Sequence, residues 1–477
     1  MSTNVYSMIE AAASTRGDDV AIVDDSGALT YAQLHTEVEA LKATLEDNGL
    51  DSGQGLGVMM RNSRAFIVGV FAGLGCGASV MPLSHQLKGA ELDAMLADVT
   101  IHAVLDDLNG PTPSGEETRM VAIGEQPLRL TRTVRDRATS MAPGCDVAFV
   151  RFTSGTTGES KGVAVSHRAV LERTAAAQAG LSLGRQDTVI WVLPMAYHFI
   201  VSIVLYLRYG ARIAICRDVL AQTMIACINE NRGTMLYAAP MHYRLLAADK
   251  SNVKTPTLQR AISTSSAIAL PIAEAYQKRF GLPVIQAYGI IEIGLPIINL
   301  AAAESHPGAI GHGLPDYRIG ILDESGECLP ADSRGQLAVQ GPGMFDMYLC
   351  PPAARETVTE NGWFLTGDLA TMTAAGLITV VGRVKSMINV SGNKVFPEEV
   401  ERVLDTHPAI AASRVSGIEH PIMGETVQAE LVIRDDHSIE TEQVLKYCRE
   451  RLSSYKVPQF LHVVSEIPLT GSGKVAR

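Results

Sequence analysis

Several absences bound the chemistry of this chain before any motif is read. Its seven cysteines (Cys76, Cys145, Cys216, Cys227, Cys328, Cys350 and Cys448) are scattered, odd in number and free of CxxC spacing. That pattern argues against a disulfide framework or a structural zinc site and leaves buried free thiols in a reducing compartment as the expectation. Lysine and arginine form no run dense enough to neutralise a nucleic-acid backbone, and the formal net charge is −11, so nucleic acid is not an expected partner. No apolar run reaches the roughly 20 residues that a membrane span needs; the stretch from Phe199 to Tyr206 is cut off by Arg208 and Arg212. The opening residues, MSTNVYSMIEAAASTRGDD, lack a charged start followed by an apolar core, so no secretory signal is expected and the expected location is the cytoplasm. Internal repeats and low-complexity segments are also missing.

What is present is ordinary globular material, 47% hydrophobic and 19% charged over 477 residues, long enough to require two or more domains. From Val20 to about Gly281, short β-branched runs alternate with helix-like stretches, as in VAFVRF, SHRAVLERTAAAQAG and DTVIWVLP. The alternation predicts α/β layers with mainly parallel strands. Between about Gly308 and Val381 short strands and turns, such as YRIGILDESGE and LITVVGR, predict an antiparallel or barrel-like β part. Beyond Gly382-Arg383 the pattern is that of a small α+β domain, with strands near Arg414 and Val427, a helix from about Thr441 and a final strand. A further helix is expected to open at Pro397, because proline suits the first helical turn, Glu398 and Glu399 favour its positive end, and Val400, Val403 and Leu404 form an apolar stripe. The expected architecture is a large N-terminal domain over 1–384 and a small C-terminal domain over 385–477.

The strongest chemical signal is FTSGTTGESKGVAVSH, residues 152 to 167, a Ser/Thr/Gly-rich loop with one lysine directly after an apolar strand. Gly155, Gly158 and Gly162 let backbone approach an anion, Ser154, Thr156 and Thr157 add hydroxyls beside Thr153, and Lys161 supplies positive charge. A plain surface loop is the alternative, but three hydroxyl-glycine steps ending in Lys-Gly after a strand favour phosphate. Gly162 after the lysine excludes the GxxxxGK[ST] pattern.

This segment resembles the signature loop of the adenylate-forming superfamily, the acyl-CoA synthetases, luciferases and peptide-synthetase adenylation domains, with Ser160 where that family usually has proline. Further motifs follow in the family's order. In AYGIIEIG, residues 287 to 294, the resemblance implies that Tyr288 stacks on adenine and that Glu292 binds the Mg²⁺ bridging ATP phosphates, a role suited to a carboxylate on a hard cation. In WFLTGDLA, residues 363 to 370, it implies that Asp368 accepts hydrogen bonds from ribose. In GRVKSMINVSGNKVFPEEVE, residues 382 to 401, it implies Arg383 on ribose or phosphate, Lys385 as a hinge and Gly392 beside the thiol channel. In the terminal IPLTGSGKVAR it implies Lys474 on the carboxylate and α-phosphate during adenylation. In PMAYHF, residues 194 to 199, it implies His198 beside an acyl pocket that Phe199, the apolar run after it and Gly294 would line. A hydrophobic acid is the expected substrate, although a core helix with one satisfied histidine explains the apolar run equally well.

Two departures stand out. Ile291 occupies the position of the threonine whose hydroxyl is expected on the α-phosphate; losing one bond to a charged group costs roughly 1.5–3 kcal/mol, on the order of ten- to a hundredfold in rate. SAIAL, residues 266 to 270, replaces a Gly-Ala-rich segment near adenine, and its bulk is expected to alter nucleotide placement. The resemblance implies ATP or acyl-AMP, CoA and Mg²⁺ as ligands and a carboxylic acid as substrate. Four readings follow: a full acyl-CoA synthetase, taken first because Lys161, Glu292 and Lys474 are retained; a relative that only transfers acyl from pre-formed acyl-AMP; an enzyme that adenylates and loads a carrier protein; and a silent nucleotide-binding protein. A two-fold homodimer is the default assembly.

Overall fold

The computed structural model describes residues 4–115, 117–133, 146–153, 161–390, 393–420, 424–434 and 439–468. Two nine-stranded sheets dominate. In the first, six strands run parallel, from Val20–Asp24 through Arg212–Ile215, Thr188–Trp191, Met235–Ala238 and Arg260–Ser263 to Val284–Ile290. Antiparallel strands finish both edges, Gly27–Thr30 on one side and Gly294–Ile298 with His312–Gly313 on the other. The second sheet has a parallel centre of four strands, Val147–Thr153, Ser79–Ser84, Gly55–Met60 and Ala103–Asp106. Its flanks are antiparallel, including the pair of Val147–Thr153 with Lys161–Ser166. The mainly parallel expectation therefore holds for the sheet centres and gives way at the edges, where some connections, such as Asp24 to Gly27 and Ile290 to Gly294, are too short for a crossover.

Local sequence accounts for the elements that set up the site. Helix Tyr31–Asp47 opens on a reciprocal cap, Thr30 receiving the Gln33 amide while Gln33 returns a bond to Thr30, which satisfies two otherwise orphaned donors. Helix His167–Leu181 opens on Ser166, whose Oγ accepts from Ala169 N at 3.2 Å. These helices, with Ser7–Arg16, Arg64–Gly75 and the helical run from Met195 to Tyr209, contribute to one large apolar core that also takes side chains from both nine-stranded sheets. Each fully buried Leu, Ile, Val or Phe there contributes about 1.5–3 kcal/mol.

A four-stranded antiparallel sheet follows, Arg318–Leu322, Arg334–Gln340, Phe364–Met372 and Ile378–Arg383. The last sheet gathers Ile388–Val390, Asn393–Val395, Ile410–His420, Gly424–Ile433 and Phe460–Val463. Helix Pro397–Asp405 buries Pro397, Val400 and Leu404, and helix Thr441–Arg449 buries Val444 and Cys448. Together they build a core separate from the large one, as an independently packed unit requires. Phe396, which caps helix Pro397–Asp405, meets the four-stranded sheet where Arg334 sits 5.0 Å from its ring. No helix among the described residues is long and apolar enough to cross a membrane.

Candidate nucleotide and acyl site

Open α/β sheets present ligand groups beyond the carboxyl ends of their parallel strands, and the motif residues of both large sheets collect there. Val147–Thr153 and Lys161–Ser166 pair with Thr153 opposite Lys161, so the lysine begins the strand that returns from the glycine-rich loop. Ser154, Gly155, Thr156, Thr157, Gly158 and Ser160 lie outside the described residues, as does the side chain of Thr153.

Lys161 and Glu292 are linked through a residue that no motif singled out. Lys161 Nζ lies 4.6 Å from the centre of the Tyr348 ring, and Tyr348 Oη donates to Glu292 Oε1 at 3.1 Å. Tyr348 comes from Met347–Leu349, the strand paired with Lys161–Ser166. Burial first, and then the Glu292 charge, push its phenol well above the ordinary range, so it stays a hydrogen-bond donor at neutral pH.

The turn carrying Glu292 is clamped from behind by Arg173, in helix His167–Leu181. Arg173 donates from Nη1 to the Ile291 carbonyl at 2.9 Å and from Nε to the Gly343 carbonyl at 2.8 Å, while Phe345 N donates to the Glu292 carbonyl at 2.7 Å. The guanidinium is fully buried, which lowers its pKa to about 10. Its approach to Gly343 is so close that a Cβ there, at φ +67°, would fall 2.4 Å from Arg173 N. Ile291 itself is buried, packed in the large core, and its side chain offers no donor.

The second constellation joins residues far apart in sequence. Strand pairing sets Asp368 opposite Arg383. Arg383 Nε donates to Asp368 Oδ1 at 2.6 Å and Tyr288 Oη donates to Oδ2 at 2.5 Å. Asp368 is buried, and both its oxygens carry charge-assisted or strong bonds. Burial, followed by the Asp368 charge, holds the Tyr288 phenol far above its usual pKa.

His198 closes the short helix Met195–His198 with φ −124° and ψ 2°, after which a π-helical turn runs from Phe199 to Ile203. A π turn shifts the phase of a helix and is frequent at functional sites. At its start two neighbours expected to act together face different ways. His198 stays half-buried, with Nε2 3.3 Å from Ser265 Oγ and its ring 6.4 Å from Trp191, and Ser265 adopts φ +75°. Phe199 turns inward, 1% exposed, with ring centroids 5.8, 5.9 and 6.1 Å from Phe66, Phe71 and Phe149. Phe199 thus packs within the large core. Gly294 is likewise buried at φ +102°, where a Cβ would sit 3.2 Å from Arg173 Cβ; its lack of a side chain serves the arginine clamp. In the SAIAL segment Ile268 packs into the core between the first sheet and helix Leu270–Phe280, with its N–H bonded to Gln286 Oε1, while Ser266 and Ala267 are exposed. Lys385 is exposed just past Ile378–Arg383, whereas Gly392 and Lys474 lie outside the described residues.

Arg151 is the other charged residue that sequence reading missed. It sits on the strand leading into the glycine-rich loop, donates from Nη1 to the Tyr197 carbonyl and stands 5.4 Å from the Tyr197 ring. A lone arginine in an apolar strand carries no spacing signature; the only available signal was a charge where the strand demands apolar residues.

The model of the AMP-binding enzyme family matches residues 9–349, and that of the AMP-binding enzyme C-terminal domain matches residues 399–474. The chain belongs to the AMP-binding enzyme family. Among curated relatives of this AMP-binding enzyme, a feruloyl-CoA synthase of Amycolatopsis sp is 28% identical over 461 residues, covering 94% of this chain and 93% of the relative. A long-chain-fatty-acid–CoA ligase of Yersinia pestis is 26% identical over 528 residues, covering 100% and 93%. Among solved structures, the o-succinylbenzoate CoA synthetase of Bacillus subtilis in complex with its acyl-adenylate intermediate superposes with a TM-score of 0.86 at 23% identity, covering 98% of this chain and 96% of that one. The fold is thus that of adenylate-forming enzymes, and the curated relatives are acid–thiol ligases whose acids differ.

Proposed function

We propose that this AMP-binding enzyme is an acyl-CoA synthetase: a carboxylate attacks the α-phosphate of ATP to give acyl-AMP and pyrophosphate, and the thiol of CoA then attacks the acyl carbonyl and releases AMP. The observation that carries the reading is the convergence of five separated segments into two polar constellations, Lys161–Tyr348–Glu292 and Tyr288–Asp368–Arg383. The first offers a cation and a carboxylate to the triphosphate. The second offers a buried carboxylate to vicinal hydroxyls, with Arg383 balancing its charge. Glu292 is the carboxylate that would hold a divalent cation at the phosphates. When bound, such an ion neutralises the departing pyrophosphate.

Within this proposal the small domain, 385–477, turns about Lys385 between the half-reactions, withdrawing Lys474 from the phosphate and bringing Gly392 to the thiol channel. The glycine-rich loop from Thr153 to Lys161 wraps the phosphates, and His198 borders the acid. The six described cysteines are all free, in keeping with a cytoplasmic enzyme. The apolar side chain of Ile291, buried where the resemblance expects a hydroxyl, favours one second reading, a relative that takes pre-formed acyl-AMP to CoA. Thioester formed from ATP plus a carboxylic acid supports the full synthetase; thioester formed only from synthetic acyl-adenylate supports the second reading. Replacing CoA by a phosphopantetheinyl carrier protein in the same assay tests the thiol partner.

A further inference from the structure

Arg151 is a charge that the packing around it does not explain. Its strand, Val147–Thr153, otherwise presents Val147, Ala148, Phe149, Val150 and Phe152 to apolar cores. Nη1 donates to the Tyr197 carbonyl, but Nε is buried and has no hydrogen-bond partner. A guanidinium N–H left unpaired in a protein interior carries a desolvation cost with nothing to offset it, and burial lowers the Arg151 pKa to about 10. The carboxylate charge that acts on it is that of Glu292, in the site. Arg151 also lies near the end of the strand that leads into the glycine-rich loop. Ile291, the residue preceding Glu292, has no group to donate to a phosphate.

We propose that Arg151 is an oxyanion donor of this site, whose guanidinium hydrogen-bonds the α-phosphate of the bound nucleotide and stands in for the hydroxyl missing at Ile291. The inference rests on the nucleotide reading above and deepens it. An arginine fork suits phosphate because it donates along two edges and stays charged. A second carboxylate on the acid would offer the same oxyanion chemistry, so the test separates the two sources.

Affinities of AMP and adenosine for the full chain, measured by titration calorimetry, read the contact without any turnover. Arg151→Met, which keeps the length of the side chain, weakens AMP binding tenfold or more and leaves adenosine binding unchanged, because only AMP carries the phosphate. Arg151→Lys recovers part of the loss, and adding Ile291→Thr to Arg151→Met restores AMP affinity at least threefold. Equal losses for AMP and adenosine, as a purely structural arginine would give, overturn the proposal, and so does unchanged AMP affinity. If AMP affinity is unchanged while dicarboxylic acids alone lose ATP-dependent thioester formation, the oxyanion belongs to the acid and the phosphate assignment is wrong. If wild-type protein binds AMP but forms no thioester by either route, the function above fails while the Arg151 result still stands.

Discussion

At the scale of single residues, the site works by pairing each carboxylate with a donor that fixes its direction. Tyr348 holds Glu292 through one hydrogen bond while its ring faces the Lys161 ammonium. Tyr348→Phe keeps the ring and removes the bond. A hydrogen bond to a charged group is worth roughly 1.5–3 kcal/mol, so acid-dependent pyrophosphate exchange should fall about ten- to a hundredfold, with thioester formation from supplied acyl-adenylate much less affected. Equal losses in both half-reactions would show that Tyr348 supports the fold and not Glu292. Ile291→Thr should act in the opposite direction, raising the exchange rate, provided the new hydroxyl finds the phosphate. Neither Tyr348 nor Arg173 was legible in the sequence, since each is a single residue inside a regular strand or helix whose partner lies more than 50 residues away. Asp368 and Arg383 were legible as motif residues, but their ion pair depends on strand register, which sequence does not print.

At the scale of elements, the loop at 341–345 and the Glu292 turn are held together by Arg173, with Gly343 as the point of closest approach. Gly343→Ala places a methyl against Arg173 N and the Ala169 carbonyl in a backbone conformation that disfavours any side chain. A loss of about 1–3 kcal/mol is expected from such overpacking. Urea denaturation would register it as a lower midpoint at unchanged slope, and an unaltered midpoint would mean that the clamp is looser than its distances indicate. The helix at Pro397 was legible because its proline, its first-turn glutamates and its apolar stripe are all local signals. The π turn after His198 was not. Adjacent residues of a helix do not share a face, and Phe199 points into the aromatic cluster with Phe66, Phe71 and Phe149 while His198 faces Ser265.

At the scale of the whole molecule, stability and catalysis share buried titratable groups. His167 begins the helix that carries Arg173; its Nδ1 accepts from Val5 N at 3.0 Å, and burial lowers its pKa below the ordinary value of 6.5. A histidine held neutral in the folded state binds fewer protons than in the unfolded state once pH drops below about 6.5, so its contribution is full above that pH and is lost as pH falls toward the folded-state pKa. His167→Gln, whose amide oxygen can accept the same bond, should therefore flatten the fall in melting temperature between pH 7 and pH 5; a parallel fall in both proteins would remove His167 from the cause. The α/β layers and the separate small domain were legible from periodicity because they depend on local pattern summed over many residues. The edge pairings were not, because they depend on how short connections close in space.

The central claim is that this AMP-binding enzyme uses ATP to join a carboxylic acid to the CoA thiol. The most direct measurement gives the purified chain CoA and magnesium with either ATP plus a panel of carboxylic acids or the matching synthetic acyl-adenylates, and follows thioester and pyrophosphate together. The account predicts thioester by both routes, with pyrophosphate released in step with it on the ATP route. Thioester from the adenylates alone, with no acid-dependent pyrophosphate from any member of the panel, would contradict it.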